Sequence, residues 1–339
     1  MFELKVLSKE DTEQLLEMNE VIRVVEEVYK LKAHGDTVVF PLVFHEFEPG
    51  KADMDIKSGW IKGIDIFGLK VVSWFGENIK KDLPALIGTI MVMDANTGVP
   101  MGILDGAHIT GMRTGASGAL GAKYLARNDS ENLLIVGAGH IATFQIAATL
   151  TLIKSIKRVR IYAPINYLNA EKMASTIRNT LEKQFNMTVS SDVTFEAVKN
   201  IEAITRESDI IITVTPAKEP IIKKEWVKPG THFSCIGADM EGKEEIDPEI
   251  FKDARVFVDD LNQCIDVGEI EIPIKKGILD KKDVAGELGD IIVKKTVGRQ
   301  SNDQITVFDA TGTALLDLMT ARLALDAAEK TGRGVSVNL

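Results

Sequence analysis

The spacing of apolar and polar residues predicts different secondary structure in successive parts of this 339-residue chain. Apolar residues recur at helical spacing within residues 9–34, so we predict helix there. From about residue 37 to residue 102 they form short runs rich in β-branched and aromatic side chains, as in 66–72, which predict strands. Residues 109–126 are rich in alanine and glycine, and we interpret them as a closely packed helix.

Short apolar runs alternate with helix-like segments from Asn132 to about Val258. This alternation predicts an α/β fold with a Rossmann-type doubly wound parallel sheet and crossover helices. A strand-like run at 304–308 and an apolar helix at 314–331 follow. The candidate strands of the alternating part are 133–136, 159–163, 193–196, 210–215, 231–236 and 256–258.

The length of the chain and the change of pattern together predict two domains. A single hydrophobic core rarely grows beyond about 250–300 residues. We expect the chain to return to its first domain near the end. The predicted division is a Rossmann domain at 127–304 inserted into a discontinuous α+β domain formed by 1–126 and 305–339.

A glycine-rich motif joins the apolar run 133–136 to an apolar helix-like segment, and it reads Gly-x-Gly-x-x-Ala. Gly137 permits a tight turn, Gly139 lets a pyrophosphate approach the backbone, and Ala142 lets the helix pack on its strand. The first N–H groups of the helix would then hold the phosphates. A tight turn in an ordinary α/β unit is the alternative. The predicted cofactor contacts here are Gly137, Ala138, Gly139, His140 and Ile141.

The choice between NAD and NADP stays open. A Rossmann site usually has an acidic residue after its second strand, which binds the ribose hydroxyls of NAD. In this chain the corresponding segment, Ala163 to Asn166, has no carboxylate, so a 2′-phosphate would not be repelled. No arginine immediately follows the strand to attract that phosphate either.

Composition narrows the classes of partner. The net charge of −10 suggests neither a nucleic-acid footprint nor a membrane-surface helix. No apolar run approaches the roughly 18 residues that span a bilayer, and the first residues lack the features of a signal peptide. We therefore expect a cytoplasmic protein with no nucleic-acid or membrane partner. Cys235 and Cys264 lack C-x-x-C spacing and are expected to be buried thiols, and no metal site is predicted.

Several blocks of sequence resemble the ornithine cyclodeaminase/μ-crystallin family. They are Met112-Arg-Thr-Gly-Ala-Ser117, Ile236-Gly-Ala-Asp-Met-Glu-Gly-Lys243 and Gly298 to Gly312, in the order found in the family. The resemblance implies a homodimer in which the discontinuous domain binds substrate and dimerises. It also implies chemistry at the bond between the α-carbon and nitrogen of amino or α-imino acids, with NAD or NADP.

Three residues are the main candidates for substrate binding and catalysis. Arg113 lies in a small, apolar helix and is predicted to clamp the substrate carboxylate, with a structural salt bridge as the alternative. The resemblance implies that Lys70 binds the carboxylate and is catalytic, although an edge-strand lysine with its amine in water is the alternative. Asp239 follows a strand, and the resemblance implies an acid/base role; the alternative is that it caps the following segment.

Further residues are predicted to contact the cofactor. Thr114 is expected beside its phosphate, next to the Arg113 clamp. Lys243 is a candidate for contacting cofactor or substrate, with a solvated surface charge as its alternative. The other predicted cofactor contacts are Ala163, Asn166, Thr215, Pro216, Gly237 and Ser301.

Lys57 departs from what we expect of an ornithine cyclodeaminase, where an acidic group would receive the ammonium of ornithine. A lysine would repel that ammonium and attract a second carboxylate, unless it points into solvent. We therefore favour an imine reductase or amino-acid dehydrogenase acting on a small or acidic substrate such as iminosuccinate. Ornithine cyclodeaminase is the alternative enzyme. A μ-crystallin-like protein that binds NAD(P)H and a small ligand is the alternative outside enzymes.

Overall fold

A computed structural model describes residues 2–339, which form two compact units. The first unit contains the chain up to residue 113 together with 313–339, and the second contains 114–312. The predicted boundaries, 126/127 and 304/305, are displaced from these positions. The second boundary differs because the strand Ile305–Asp309 pairs inside the sheet of the second unit. The sequence pattern predicts this strand to be part of the discontinuous domain.

The first unit is built on a mixed sheet in which β1 and β7 are parallel and the other paired strands are antiparallel. Its spatial order is β18-β1-β7-β6-β5-β4-β2, and β3 also pairs with β4. The strands are β1 (Glu3–Leu7), β2 (Thr37–Val39), β3 (Val43–Glu48), β4 (Ala52–Ile61), β5 (Ile66–Phe75), β6 (Leu86–Asp94), β7 (Pro100–Asp105) and β18 (Val335–Asn338). The helices are α1 (Lys9–Leu15), α2 (Met18–His34) and α10 (Ala314–Thr331), and α3 (Gly106–Leu125) crosses the boundary at residue 113.

Helix α10 packs on one face of this sheet, and α2 packs on α10. Two glycines in the central strands make the close packing possible. A Cβ at Gly59 would lie 2.8 Å from a methyl carbon of Leu315, and one at Gly68 would lie 2.7 Å from a methyl carbon of Leu318. Asp317 directly precedes Leu318 in this helix, so the same packing brings its carboxylate to the sheet.

The second unit contains an eight-stranded sheet in which every neighbouring pair is parallel, with spatial order β10-β9-β8-β11-β13-β17-β15-β16. A separate pair is formed by β12 and β14. The strands are β8 (Asn132–Val136), β9 (Arg158–Tyr162), β10 (Thr194–Ala197), β11 (Ile210–Thr213), β12 (Lys218–Ile222), β13 (His232–Cys235), β14 (Glu244–Ile246), β15 (Ala254–Val258), β16 (Gly286–Glu287) and β17 (Ile305–Asp309). The helices are α4 (His140–Leu152), α5 (Tyr167–Phe185), α6 (Ile201–Glu207), α7 (Leu261–Val267), α8 (Glu271–Lys275) and α9 (Leu288–Ile292).

The strand order confirms the predicted doubly wound parallel sheet. Strands β8 and β11 lie side by side in the sheet, and the chain continues outward from them in opposite directions. Ligands of open α/β sheets bind at the carboxyl ends of the strands at such a switch point. The glycine motif follows β8 there, while Thr215 and Gly237 lie just beyond β11 and β13.

Both cysteines are buried free thiols, as predicted. None of the described helices combines the length and the apolar character that crossing a bilayer requires.

Candidate active site

Two lysines of the first unit lie side by side on the face of the sheet that α10 covers. Lys57 and Lys70 are directly paired across strands β4 and β5. Their side chains therefore point to the same side, as do those of opposed residues in any antiparallel pair. Lys57 is 9% exposed and Lys70 is 2% exposed. Neither is a solvated surface lysine, and β5 is an inner strand, so the two solvent-facing alternatives are wrong.

A carboxylate from α10 connects Lys70 to Arg113. Lys70 Nζ forms an ion pair with Asp317 Oδ2 at 2.9 Å, although this contact does not meet hydrogen-bond geometry. The same Nζ lies 3.5 Å from the hydroxyl of Thr110. Arg113 Nε donates a hydrogen bond of 3.0 Å to Asp317 Oδ1. Asp317 is completely buried. The salt bridge weighed as the alternative for Arg113 is therefore present, and it engages the Nε edge of the guanidinium.

Burial and charge act in opposite directions on this cluster. Burial lowers the pKa of Lys70 to about 8; Asp317 opposes this shift, whereas Arg113 and Lys57 reinforce it. Burial would raise the pKa of Asp317, but Arg113 and Lys70 outweigh it and lower that pKa below the usual value. Asp317 is therefore an anion that keeps buried cations in place, and Lys70 is a lysine able to exchange a proton near neutral pH.

Sequence reasoning missed Asp317, although a signal was present. It is the only charged residue in the apolar run from Ala314 to Met319. A carboxylate at such a position must be paired or lie at the surface, because burying an isolated charge is too costly. The sequence does not say which cations pair with it, since Lys70 and Arg113 lie far away along the chain.

The glycine motif of the second unit has the geometry of a phosphate-binding turn. Gly137 has a φ of 118°, and a Cβ there would lie 2.8 Å from the carbonyl oxygen of Val214, so glycine is required. A Cβ at Gly139 would have no atom within 4 Å. Gly139 is also the N-cap of α4, and no side chain caps that helix end. The backbone therefore faces open space at the positive end of a helix, which suits the pyrophosphate of a dinucleotide.

Other predicted cofactor residues differ in how far their side chains are already used. The buried hydroxyl of Thr114 has no hydrogen-bond partner among the described residues, while its carbonyl accepts a 2.8 Å bond from Gln145. An orphaned hydroxyl of this kind is a reasonable partner for a bound phosphate. Asn166 follows β9, three residues after Ala163, but its side-chain oxygen caps α5 by accepting from the N–H of Leu168. Only its backbone and amide nitrogen remain for a ligand.

Asp239 and Lys243 form a pair in the turn after β13. Lys243 Nζ lies 2.5 Å from Asp239 Oδ1, and the side chain of Asp239 is 45% exposed, against 15% for Lys243. Thr215 and Gly237, in the neighbouring turns, are tied to Glu245, whereas Pro216 is exposed. The segment after Asp239 leads into β14 and no helix starts at this turn, so Asp239 is not a helix N-cap.

Ser301 is the predicted cofactor residue that the structure separates from the others. It is exposed and lies in the turn before β17, and its carbonyl accepts from Gln304 N. All strands of this sheet run in one direction, so a turn before a strand lies at the opposite edge from Gly137 and Thr215, which follow strands. The structure therefore places Ser301 away from the glycine turn with which it was grouped. Among residues 2–339, no cluster of His, Cys, Asp and Glu has the arrangement of a metal site.

Three solved structures are similar to this chain over nearly its whole length. An archaeal alanine dehydrogenase dimer with bound NAD is 33% identical, with each chain fully covered and a TM-score of 0.89. The Δ1-pyrroline-2-carboxylate reductase of Thermococcus litoralis, in complex with NADH and L-proline, is 32% identical, with 98% of this chain and 100% of that one covered and a TM-score of 0.90. The iminosuccinate reductase of Paracoccus denitrificans, in complex with NAD+, is 28% identical, with full coverage of both chains and a TM-score of 0.89. Residues 3–332 match the ornithine cyclodeaminase/mu-crystallin family as a whole, and the chain belongs to that family.

Proposed function

We propose that this protein is an NAD(P)-dependent oxidoreductase that acts at the α-carbon of a small amino acid or α-imino acid. The observation that carries the proposal is the buried cluster of Lys70, Arg113 and Asp317 in a chain that also has the glycine turn of a dinucleotide site. The three relatives described above all act, by their names, on α-amino or α-imino acids.

Arg113 and Lys70 bind the substrate carboxylate in this proposal. Asp317 engages Arg113 through Nε and fixes the Lys70 amine by an ion pair, and the Nη groups of Arg113 would then bind the substrate carboxylate. Charge-assisted bonds from an arginine fork give a carboxylate both affinity and a defined orientation. Orientation of this kind can lower a barrier by about 7 kcal/mol.

The cofactor is proposed to lie on the glycine turn, with phosphates near Gly139 and the orphaned hydroxyl of Thr114. The nicotinamide supplies or accepts the hydride when it is bound. NAD(H) is the cofactor present in the three related structures, and we therefore propose NAD(H) as the cofactor of this protein. Activity with NADP(H) is the comparison that tests this choice. Asp239 supplies or removes the proton that accompanies hydride transfer, and Lys243 holds its carboxylate by their 2.5 Å contact.

Lys57 suggests an acidic substrate. It lies opposite Lys70 on the same face and adds to the positive potential that lowers the Lys70 pKa. A second carboxylate on the substrate would be attracted to this potential. We therefore propose iminosuccinate, formed from oxaloacetate and ammonia, as a better substrate than the imine of pyruvate.

The substrate proposal is tested by replacing Lys57 with methionine and measuring NADH oxidation with ammonia and either oxaloacetate or pyruvate. We expect K57M to raise the KM for oxaloacetate about tenfold, the cost of losing about 1.4 kcal/mol of binding, and to change the KM for pyruvate less than threefold. K62M is the control, because Lys62 is an exposed lysine just after β4. Equal effects of K57M on both substrates, or proline formation from ornithine without added NADH, would contradict the proposal.

We also propose that the protein is a homodimer that uses the sheet face opposite to α10. This face carries exposed apolar side chains: Val43 (50% exposed), Trp60 (36%), Phe75 (37%) and Ile87 (45%). Exposed apolar side chains that share one face of a sheet are candidates for an interaction surface. The related alanine dehydrogenase is described as a dimer.

The dimer is tested by sedimentation velocity on the variant I87D. We expect the wild-type chain to sediment as a dimer and I87D as a monomer, since a buried unpaired carboxylate is expensive at an apolar interface. I165D is the control, because Ile165 is 93% exposed and lies in the second unit. A wild-type monomer, or an I87D dimer of unchanged stability, would show that this face is not the interface.

A further inference from the structure

Three of the completely buried carboxylates in the second unit, none of them used by the proposed mechanism, form one connected group. They are Glu245 on β14, Glu269 just before α8, and Asp309 at the end of β17. Backbone N–H contacts connect them in series. The N–H of Glu245 donates to Glu269 at 2.7 Å, and the N–H of Ile270, next to Glu269, donates to Asp309 at 3.1 Å. The cost of burying three such groups requires a structural reason.

Glu245 holds together the two turns that lie at the carboxyl ends of β11 and β13. Its Oε1 accepts from the N–H of Thr215 at 2.6 Å and from the Thr215 hydroxyl at 2.8 Å, and its Oε2 accepts from the N–H of Gly237 at 2.9 Å. A Cβ at Gly237 would lie 2.6 Å from this carboxylate, so glycine is needed for its approach. Both oxygens therefore receive backbone donors, the arrangement that favours an ionised carboxylate.

Glu269 and Asp309 have a different pattern, in which only one oxygen of each accepts backbone N–H groups. Glu269 Oε1 accepts from Glu245 and Ile246, both at 2.7 Å, and Asp309 Oδ2 accepts from Ile270. The other oxygens, Oε2 and Oδ1, are buried and have no hydrogen-bond partner among the described residues. An oxygen without a donor is where a buried acid keeps its proton, because the charged form there would be neither solvated nor bonded.

The titration order agrees with this difference. Burial raises the pKa of Glu245 to about 7, against the opposing effect of its Thr215 and Gly237 donors. Burial raises the pKa of Asp309 to about 8, and burial together with the Glu245 charge raises the pKa of Glu269 well above its usual value. Because Glu245 alone of the three has hydrogen-bond donors on both carboxylate oxygens, the geometry assigns the charge of this group to Glu245.

We propose that Glu245 is a positioning residue whose ionised carboxylate fixes the turns carrying Thr215 and Gly237, while Glu269 and Asp309 are neutral acids that support it. Gly237 is two residues before Asp239, so the same contact sets where the Asp239 turn begins. The consequence for activity rests on the proposed function, whereas the contact between Glu245 and the two turns does not.

The proposal is tested by comparing E245Q, E269Q and E244Q by amide hydrogen exchange and by steady-state kinetics with NADH. An amide at position 245 offers one acceptor oxygen and turns its NH2 toward an N–H donor, so one turn is released. We expect exchange at the amides of Thr215 and Gly237 to be at least about tenfold faster in E245Q, with the KM for NADH raised about tenfold and kcat lowered less. An amide at 269 mimics a neutral acid, so E269Q should change each value less than threefold.

E244Q is the matched control, because Glu244 is the neighbouring residue on β14 and its side chain pairs with Lys276, 3.6 Å away, rather than with the two turns. G237A provides a second variant in case E245Q does not fold. Its new methyl group would meet both the Thr215 carbonyl oxygen, 2.3 Å away, and the Glu245 carboxylate, 2.6 Å away, so it should separate the two turns from Glu245 and reproduce the faster exchange.

Unchanged exchange at Thr215 and Gly237 in both E245Q and G237A would overturn the proposal. An E269Q variant as damaged as E245Q would also overturn it, since Glu269 would then carry the charge. If the wild-type protein oxidises no NADH but exchange is still faster in E245Q, the positioning role is supported and the proposed function is refuted. The failure of one proposal can therefore be told from the failure of the other.

Discussion

The variant D317N is expected to lower the thermal unfolding midpoint by about 6–12 °C and to remove most activity. Asp317 is the buried anion between Lys70 and Arg113, at 2.9 and 3.0 Å. Removing one member of a buried charge cluster leaves the remaining charges uncompensated and costs about 3 kcal/mol or more. In a domain of this size each kcal/mol lowers the midpoint by about 2–4 °C.

The control for D317N is D326N in the same helix. Asp326 pairs with Arg322 at 2.7 Å, but its side chain is 43% exposed, and such surface pairs contribute little. We expect D326N to shift the midpoint by less than about 2 °C. Calorimetry on the two variants at the same pH makes the comparison. A D317N midpoint that equals that of D326N would mean that the cluster is not held by its carboxylate.

The variant D239N is expected to lower kcat by a factor of about 10²–10⁴, the usual contribution of a general acid or base. The amide preserves the size of the side chain but cannot take up or release the proton that accompanies hydride transfer. Cofactor binding should be nearly unchanged, because the glycine turn and Thr114 are not altered. Steady-state kinetics and a titration of NADH fluorescence separate the two effects.

E241Q is the control for D239N. Glu241 lies in the same turn, is 77% exposed and pairs with Lys275 at 2.9 Å. We expect E241Q to retain kcat within a factor of two. If D239N loses less than tenfold in kcat, Asp239 does not move the proton, and Lys70, whose pKa is about 8, becomes the candidate.

The features that could be predicted from the sequence are those encoded locally. The glycine motif requires a backbone conformation at Gly137 that other residues rarely adopt, so its turn was visible in the sequence. The helix at 314–331 was predicted with its observed bounds, because its apolar spacing is continuous and its C-cap is a glycine in the left-handed region. The parallel sheet followed from the alternation of strands and helices.

The features that could not be predicted depend on contacts between distant parts of the chain. Strand β17 is placed between β13 and β15 by pairing alone, and nothing in residues 305–309 indicates which sheet they join. The same is true of Ser301, whose edge of the sheet is known only once the strand after it is placed. Asp317 was visible as a lone charge, but its partners were not.

The proposed function requires that a hydride passes between the cofactor and the α-carbon of an amino or α-imino acid. It is tested most directly with NADH that carries deuterium on either face of nicotinamide C4, supplied with oxaloacetate or pyruvate and ammonia. We expect mass spectrometry of the amino acid product to find one deuterium at the α-carbon for one of the two labelled faces. A product without deuterium from either face, or bound NADH with no amino acid formed from any α-keto acid, would contradict it.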